Sequence, residues 1–72
     1  MKLEKVNSSV IKEVGHLQTG NGSILRIKFN SNHTYDYQGV SKQVFDKLKS
    51  APSVGHYFSE NIRNKYLYSK ID

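Results

Sequence analysis

One cluster of residues in this sequence is suited to binding an anion: Ser53, Gly55 and His56, at the predicted start of a helix. The first backbone N–H groups of a helix have no partner within it, and with the positive end of the helix dipole they favour negative charge. Gly55 lets a phosphate, or another stretch of backbone, come close. Arg63 lies on the same helix face as His56, about two turns later. The pattern predicts an anion site; an ordinary N-cap with a glycine for tight packing is the alternative.

Aromatic residues at alternating positions provide a second candidate surface. Tyr35 and Tyr37 share one face of a predicted strand, and rings on an open sheet face stack unpaired bases. Small cores also recruit tyrosines, which then pack beneath helices with the hydroxyl at the edge; we favour this packed arrangement. Tyr57, Lys65 and Tyr66 add rings and charge near the second helix and complete the predicted binding surface.

The sequence contains no arrangement typical of catalysis. His16, His33 and His56 do not stand at metal-ligand spacing, and there is no cysteine. No nucleophile-elbow pattern surrounds Ser8 and Ser9, which are better suited to bonding backbone groups at a strand entry. We therefore predict a protein that is not an enzyme and uses no metal or cofactor. A small hydrolase or nuclease is a further hypothesis without a supporting motif.

The chain is basic, with 11 Lys and Arg against 6 Asp and Glu and a net charge of +5. This charge is spread over both halves. It attracts anionic partners through a long-range field, and it also keeps a small protein in solution. Lys12, Arg26 and Lys28 fall on the predicted polar face of the sheet, where they either follow phosphates or form the solvated side of the sheet. We favour the solvated side.

The length of 72 residues predicts one domain over residues 1–72, with a folded core over residues 6–68. A chain this short buries only about 60% of its unfolded surface, so its stability margin is thin. No apolar signal-peptide core and no segment of roughly 18–20 apolar residues is present. We expect a cytoplasmic protein that does not enter a membrane.

Three segments have the period-two pattern of strands. The first covers residues 10–15 and ends at Gly15; the clearest covers residues 23–29, and the third covers residues 34–37. Polar turns rich in glycine and asparagine separate them at residues 18–22 and 30–32. Short turns between consecutive strands favour an antiparallel meander.

Two helices are predicted after the strands. Ser41 is a suitable N-cap for the first, which ends before Pro52, because the residue before a proline avoids the helical region. Ser53 caps the second, whose apolar residues recur every fourth position. We expect residues 1–8 to be extended or frayed and residues 66–68 to pack back as a short extended piece. The apolar stripe of the second helix consists of Val54, Phe58 and Ile62.

The predicted fold class is therefore α+β: a three-stranded antiparallel β-meander followed by two α-helices packed on one face. Burial of apolar side chains between the sheet and the helices supplies most of the driving force, at roughly 1.5–3 kcal/mol each. The predicted core consists of Leu25, Ile27, Phe29, Val44, Phe45, Leu48, Phe58 and Ile62.

In these elements the chain resembles the KTSC domain, a short module of the C-terminus of some lysyl-tRNA synthetases that also occurs as free-standing bacterial and phage-type proteins. The resemblance runs in order over residues 6–68. It departs from the family at His16, where the family often has tyrosine, and near Ser41, where the family proline is absent. The matching residues are Val6-x-Ser8-Ser9-x-Ile11, Leu25-x-Ile27-x-Phe29, Tyr35-x-Tyr37, Val40, Ala51-x-Ser53-x-Gly55-x-Tyr57-Phe58, Ile62-Arg63 and Tyr66.

The resemblance implies a fold more directly than a function. Its synthetase context implies RNA binding, so the first hypothesis is a non-catalytic module that binds RNA or a nucleotide-type anion through the residues named above. The alternative is a small phage- or bacterium-encoded factor that binds a host protein or associates with itself. An exposed apolar patch at residues 66–68 would favour this alternative.

Overall fold

The computed structural model of the chain describes residues 1–72 and contains one antiparallel sheet with two helices on one of its faces. Neighbouring strands in the sheet follow chain order, β1 to β5. The two helices, of 9 and 8 residues, are too short to span a bilayer. The elements are β1 (Glu4–Lys5), β2 (Ile11–Thr19), β3 (Gly22–Phe29), β4 (Thr34–Gln38), α1 (Lys42–Ser50), α2 (Val54–Asn61) and β5 (Tyr68–Lys70).

The sheet has five strands rather than the predicted three, and the additional strands are its two edges. β1 pairs with β2, with Glu4 opposite Val14. β5 pairs with β4, with Tyr68 opposite Tyr37. All residues of β1 and β5 are exposed. They therefore lack the alternation of buried and exposed residues by which strands are predicted.

β2 continues through Gly15 to Thr19, so the prediction that this strand ends at Gly15 is wrong. Instead, the N-terminal residues cross close over Gly15, on the face of the sheet that is turned away from the helices. A Cβ atom at Gly15 would lie 2.7 Å from Cδ2 of Leu3 and 2.9 Å from the backbone oxygen of Lys2.

Gly15→Ala is therefore expected to destabilise the domain by about 1–2 kcal/mol, because the added methyl group displaces the N-terminal residues from the sheet. The smaller unfolded-state entropy of alanine offsets only part of this cost. Urea denaturation measures the change. Gly20→Ala is the matched control, because no atom lies within 4 Å of the Cβ position there. Equal stability of the two variants would contradict the close approach.

Both predicted helix caps are confirmed. The Ser41 hydroxyl accepts a hydrogen bond from the Val44 N–H at 3.2 Å, and the Ser53 hydroxyl accepts one from the His56 N–H at 3.3 Å. α1 ends at Ser50, and its C-cap Ala51 has the extended conformation expected before a proline. The cap residues therefore set where both helices begin.

The core lies between the sheet and the two helices and contains 11 buried hydrophobic residues. Six of the predicted core residues are among them, whereas Phe29 and Val44 are only partly buried against it. The core residues absent from the predicted set are Ile11, Val14, Tyr37, Val40 and Val54.

The opposite sheet face contains an ion pair between two residues that face each other across β3 and β4. Arg26 donates to both carboxylate oxygens of Asp36, at 2.7 and 2.9 Å. The hydrogen bond to Asp36 raises the pKa of Arg26 above its usual value. Arg26 is therefore neutralised locally and is not free to follow phosphates. Because Asp36 is only 8% exposed, this part of the face is not the solvated surface that we favoured.

Candidate functional site

A cleft of about 480 Å³ opens on the helix-covered side of the sheet, between α2 and the strands β3, β4 and β5. We call it the aromatic cleft. Five aromatic rings and the side chain of Arg63 line it, together with polar residues that include His33, Ser59 and Asn64. The five rings belong to Phe29, Tyr35, Tyr37, Phe58 and Tyr68.

The rings form a connected wall because β-sheet register places them side by side. Tyr35 and Tyr37 alternate on β4, and Tyr68 lies opposite Tyr37 on β5. The Tyr68 ring centroid is 5.7 Å from that of Tyr35 and 5.6 Å from that of Tyr37. Phe58 of α2 meets Phe29 and Tyr37, each at 5.5 Å in an edge-to-face arrangement. Such pairs are the preferred geometry of aromatic rings.

Exposure separates the floor of the cleft from its rim. Tyr37 and Phe58 are 4% and 5% exposed and belong to the core, whereas Tyr68 is 56% exposed. Tyr35 is partly buried against the core. The packed arrangement that we favoured is therefore observed for Tyr37, whereas Tyr35 is only partly covered. The ring that remains open to a ligand is Tyr68, which is not part of the binding surface predicted from the sequence.

Arg63 directly follows Ile62, the C-cap of α2, and its side chain is exposed. The ion pairs of the structure are Arg26–Asp36, Lys42–Asp46 and Lys49–Glu4, and Arg63 takes part in none of them. No acidic residue lines the aromatic cleft. The guanidinium is therefore an unneutralised cation beside the ring wall.

The charge of Arg63 acts on the hydroxyl of Tyr37. Burial, followed by the neighbouring Tyr68 and Tyr35 hydroxyls, raises the pKa of Tyr37 to about 12, while Arg63 lowers this pKa in part. The floor of the cleft thus stays neutral at physiological pH. The positive charge of the cleft comes from Arg63.

The predicted anion site at the helix start lies in a second cleft, of about 340 Å³, between the beginning of α2 and residues 7–10. Ser53, Gly55 and His56 line it. A Cβ atom at Gly55 would lie 3.4 Å from the Ser8 hydroxyl oxygen, so the glycine accommodates the chain's own loop. This observation agrees with the tight-packing alternative.

The two clefts are adjacent along α2, because Val10 and Ser59 line both. Of the predicted site residues, the aromatic cleft brings Tyr35, Tyr37 and Arg63 together. The second cleft brings together Ser53, Gly55 and His56. Three predicted site residues line neither cleft: Tyr57 and Tyr66 are partly buried against the core and Lys65 is exposed.

Tyr68 and His33 line the cleft but are not among the site residues predicted from the sequence. Tyr68 has a simple sequence indication, since it continues the alternation from Tyr66, but only the pairing of β5 with β4 places it beside Tyr37. His16 is a packed histidine: its ring stacks on Phe45 at 5.3 Å, and its Nε2 lies 2.7 Å from the Val40 carbonyl oxygen.

Comparisons with known proteins place these features in a family. The KTSC domain model matches residues 7–66. A KTSC domain protein from Yersinia pestis, known from its crystal structure, superposes with a TM-score of 0.91 at 32% identity, covering 99% of this chain and 97% of that one.

Two curated relatives are lysine–tRNA ligases. The ligase of Trichormus variabilis is 35% identical over 69 residues, and that of Nostoc punctiforme is 33% identical over 69 residues. Each alignment covers 96% of this chain but only 12% of the ligase, so the chain spans a small part of the length of these relatives. The family model, the structural neighbour and these relatives agree over nearly the whole sequence, and the chain belongs to the KTSC domain family.

Proposed function

We propose that this domain is a non-catalytic binding module that takes RNA, or another nucleotide-type anion, into the aromatic cleft. The observation that supports the proposal most directly is Arg63, an exposed arginine without an ion-pair partner beside a wall of aromatic rings. A cation next to stacking surfaces suits a ligand that joins a phosphate to a base.

The dimensions of the cleft favour an unpaired nucleotide. Its volume of about 480 Å³ is within the range of about 300–1,000 Å³ typical of small-molecule sites. The exposed ring of Tyr68 offers a face on which a base stacks, and the planar guanidinium of Arg63 matches the geometry of a phosphate. Ser59 and Asn64 provide hydrogen-bonding groups for the base edges.

The relatives favour RNA among nucleotide-type anions, because two of them are lysine–tRNA ligases. The net charge of +5 adds a long-range attraction to any polyanion. A cytoplasmic location is part of this proposal, since RNA is available there.

Arg63→Gln is expected to weaken binding of a labelled single-stranded oligouridine by about tenfold, the effect of losing one charge-assisted contact of roughly 1.5 kcal/mol. Fluorescence anisotropy measures the affinity. Lys47→Gln is the matched control, because it removes the same charge from an exposed residue of α1. Lys47 does not line the aromatic cleft and takes part in none of the three ion pairs. We expect less than about a twofold change there, from the weaker long-range field.

Affinity is also expected to fall steeply between about 50 and 200 mM salt, because binding releases counterions from the RNA. Equal losses from Arg63→Gln and Lys47→Gln would show that general charge, and not the cleft, binds the RNA. An affinity that does not change with salt would overturn the electrostatic mechanism.

A second candidate function is a protein-interaction factor that binds another protein or a copy of itself. Exposed apolar side chains on either side of β5 favour it: Leu67 is 82% exposed, and Ile71 is 43% exposed. Neighbouring apolar side chains that stay exposed are a feature of interaction surfaces.

A further inference from the structure

The outer edge of β5 has backbone groups without a partner. The Gln38 N–H donates to the Leu67 carbonyl at 2.8 Å, and the Ile71 N–H donates to the Thr34 carbonyl at 3.0 Å. Along an antiparallel strand, the backbone N–H and C=O groups of successive residues point alternately toward one neighbouring strand and toward the other. The backbone groups of residues 67, 69 and 71 therefore point toward β4. Those of Tyr68 and Lys70 point away from the sheet.

The side chains of this segment divide between the two sheet faces. Tyr68 and Lys70 lie opposite Tyr37 and Tyr35 and so share the helix-covered face. Leu67, Ser69 and Ile71 alternate with them and project from the opposite face. Both faces of the edge thus present side chains that a neighbouring strand would cover.

We propose that the domain associates with a second copy of itself through β5. The two β5 strands pair antiparallel, with Ser69 opposite the partner subunit's Ser69, and the sheets join into one. This register puts the outward-facing groups of Tyr68 and Lys70 against those of the partner's Lys70 and the partner's Tyr68. The unpaired backbone groups of both edges then bond to each other.

Side-chain chemistry selects this register over its neighbours. With Ser69 at the centre, Leu67 lies beside the partner's Ile71 on one face, and Tyr68 lies beside the partner's Lys70 on the other. An apolar pair and a cation–π pair both stabilise a sheet. A register centred on Lys70 would place the Lys70 ammonium groups of the two copies opposite each other. A register centred on Tyr68 would leave Ile71 without an apolar residue opposite it.

The pairing also changes the aromatic cleft. Because side chains of directly opposed residues project from the same face, the partner subunit's Lys70 lies beside Tyr68 at the cleft rim. Each copy thus supplies a cation to the other's cleft. This consequence rests on the proposed RNA binding, whereas the pairing itself is a specific form of the self-association given above as the second candidate function.

Charge opposes the association and makes it distinguishable from RNA binding. Each copy has a net charge of +5, and a lysine on an edge strand ordinarily discourages pairing. Salt screens this repulsion. Self-association therefore strengthens as salt rises, whereas RNA binding weakens. The contact is smaller than the roughly 1,200 Å² of a stable interface, so association appears only at high protein concentration.

Disulfide trapping tests the register, and the chain has no cysteine of its own to interfere. Opposed residues of a non-hydrogen-bonded antiparallel pair have Cα atoms about 4.5 Å apart, within the range that a disulfide spans. Ser69→Cys is expected to give mainly the covalent dimer when oxidised glutathione converts the two thiols to a disulfide. Ser31→Cys, an exposed serine in the turn after β3, is the control. Equal dimer formation by both variants would overturn the register.

Sedimentation equilibrium without nucleic acid tests the pairing itself, at concentrations up to about 1 mM and in high salt. Lys70→Pro removes an outward N–H while leaving the bonds to β4 in place, because proline is tolerated where an edge N–H faces solvent. Lys70→Arg keeps both the N–H and the charge. We expect the unmodified chain and Lys70→Arg to associate and Lys70→Pro to remain a monomer of unchanged circular dichroism. A monomeric unmodified chain, or association of Lys70→Pro, overturns the proposal.

Discussion

Phe58→Ala is expected to lower the free energy of unfolding by about 3–5 kcal/mol, the cost of deleting a buried aromatic side chain and leaving a cavity. Phe58 is 5% exposed, and its ring meets those of Phe29 and Tyr37 at 5.5 Å. It therefore joins α2 to two strands of the sheet. A domain of this length has a small margin of stability, so a large fraction of the variant should be unfolded at 37 °C.

Urea denaturation followed by far-UV circular dichroism measures this loss. Tyr68→Ala is the matched control, because it deletes an aromatic ring that also meets Tyr37 but is 56% exposed. We expect this control to cost less than about 1 kcal/mol. A loss of similar size in both variants would show that Phe58 is not the central contact between α2 and the sheet.

This difference also separates tests of folding from tests of binding. Phe58 forms the floor of the aromatic cleft, so loss of binding in Phe58→Ala would report unfolding. Arg63 and Tyr68 lie at the rim, and both are exposed. Substitutions at these two residues test the proposed RNA site in a domain that remains folded.

Alkaline pH is expected to destabilise the domain through Tyr37. Its pKa is about 12 in the folded domain, against about 10 in the unfolded chain. The folded state therefore favours the neutral phenol. The resulting stability is fully present below pH 10 and is lost as pH rises from about 10 to about 12. Two pKa units correspond to about 3 kcal/mol at the upper limit.

Tyr37→Phe isolates this contribution, because the two proteins differ only in the Tyr37 hydroxyl. The difference in unfolding free energy between the two proteins should change by as much as about 3 kcal/mol between about pH 9 and pH 12, with the unmodified chain losing more. The ultraviolet absorbance of tyrosinate gives an independent measurement, since a transition near pH 12 should be present in the unmodified chain and absent from Tyr37→Phe. Parallel pH profiles for both proteins would contradict the assignment.

The arrangement of the helices and the central strands follows from local patterns in the sequence. Ser41 and Ser53 act as the predicted caps. The stripe of Val54, Phe58 and Ile62 faces the core as expected. Such features are predictable because capping and amphipathic periodicity depend on residues within one or two turns of each other.

The pairing of the two sheet edges is not predictable in this way, although the sequence indicates extended segments near both ends of the chain. β1 and β5 are exposed throughout and have no hydrophobic alternation, so only their pairing with β2 and β4 makes them strands. Gly15 was interpreted as the end of a strand because glycine usually interrupts one. The N-terminal residues that cross over it come from a part of the chain with no local indication of where it lies.

The α+β class, the positions of both helices and the family follow from the amino-acid sequence alone, because these depend on short-range periodicity and on motifs spread along the chain. The number of strands does not, since the sheet has five and not three. Which residues form the candidate site depends on the folded structure, which buries Tyr37, leaves Tyr68 open beside it and places Tyr57 and Tyr66 outside both clefts. Local patterns do not predict this, because a cleft forms where elements distant in sequence meet. Here the pairing of β5 with β4 and the packing of α2 bring Arg63 and the rings together.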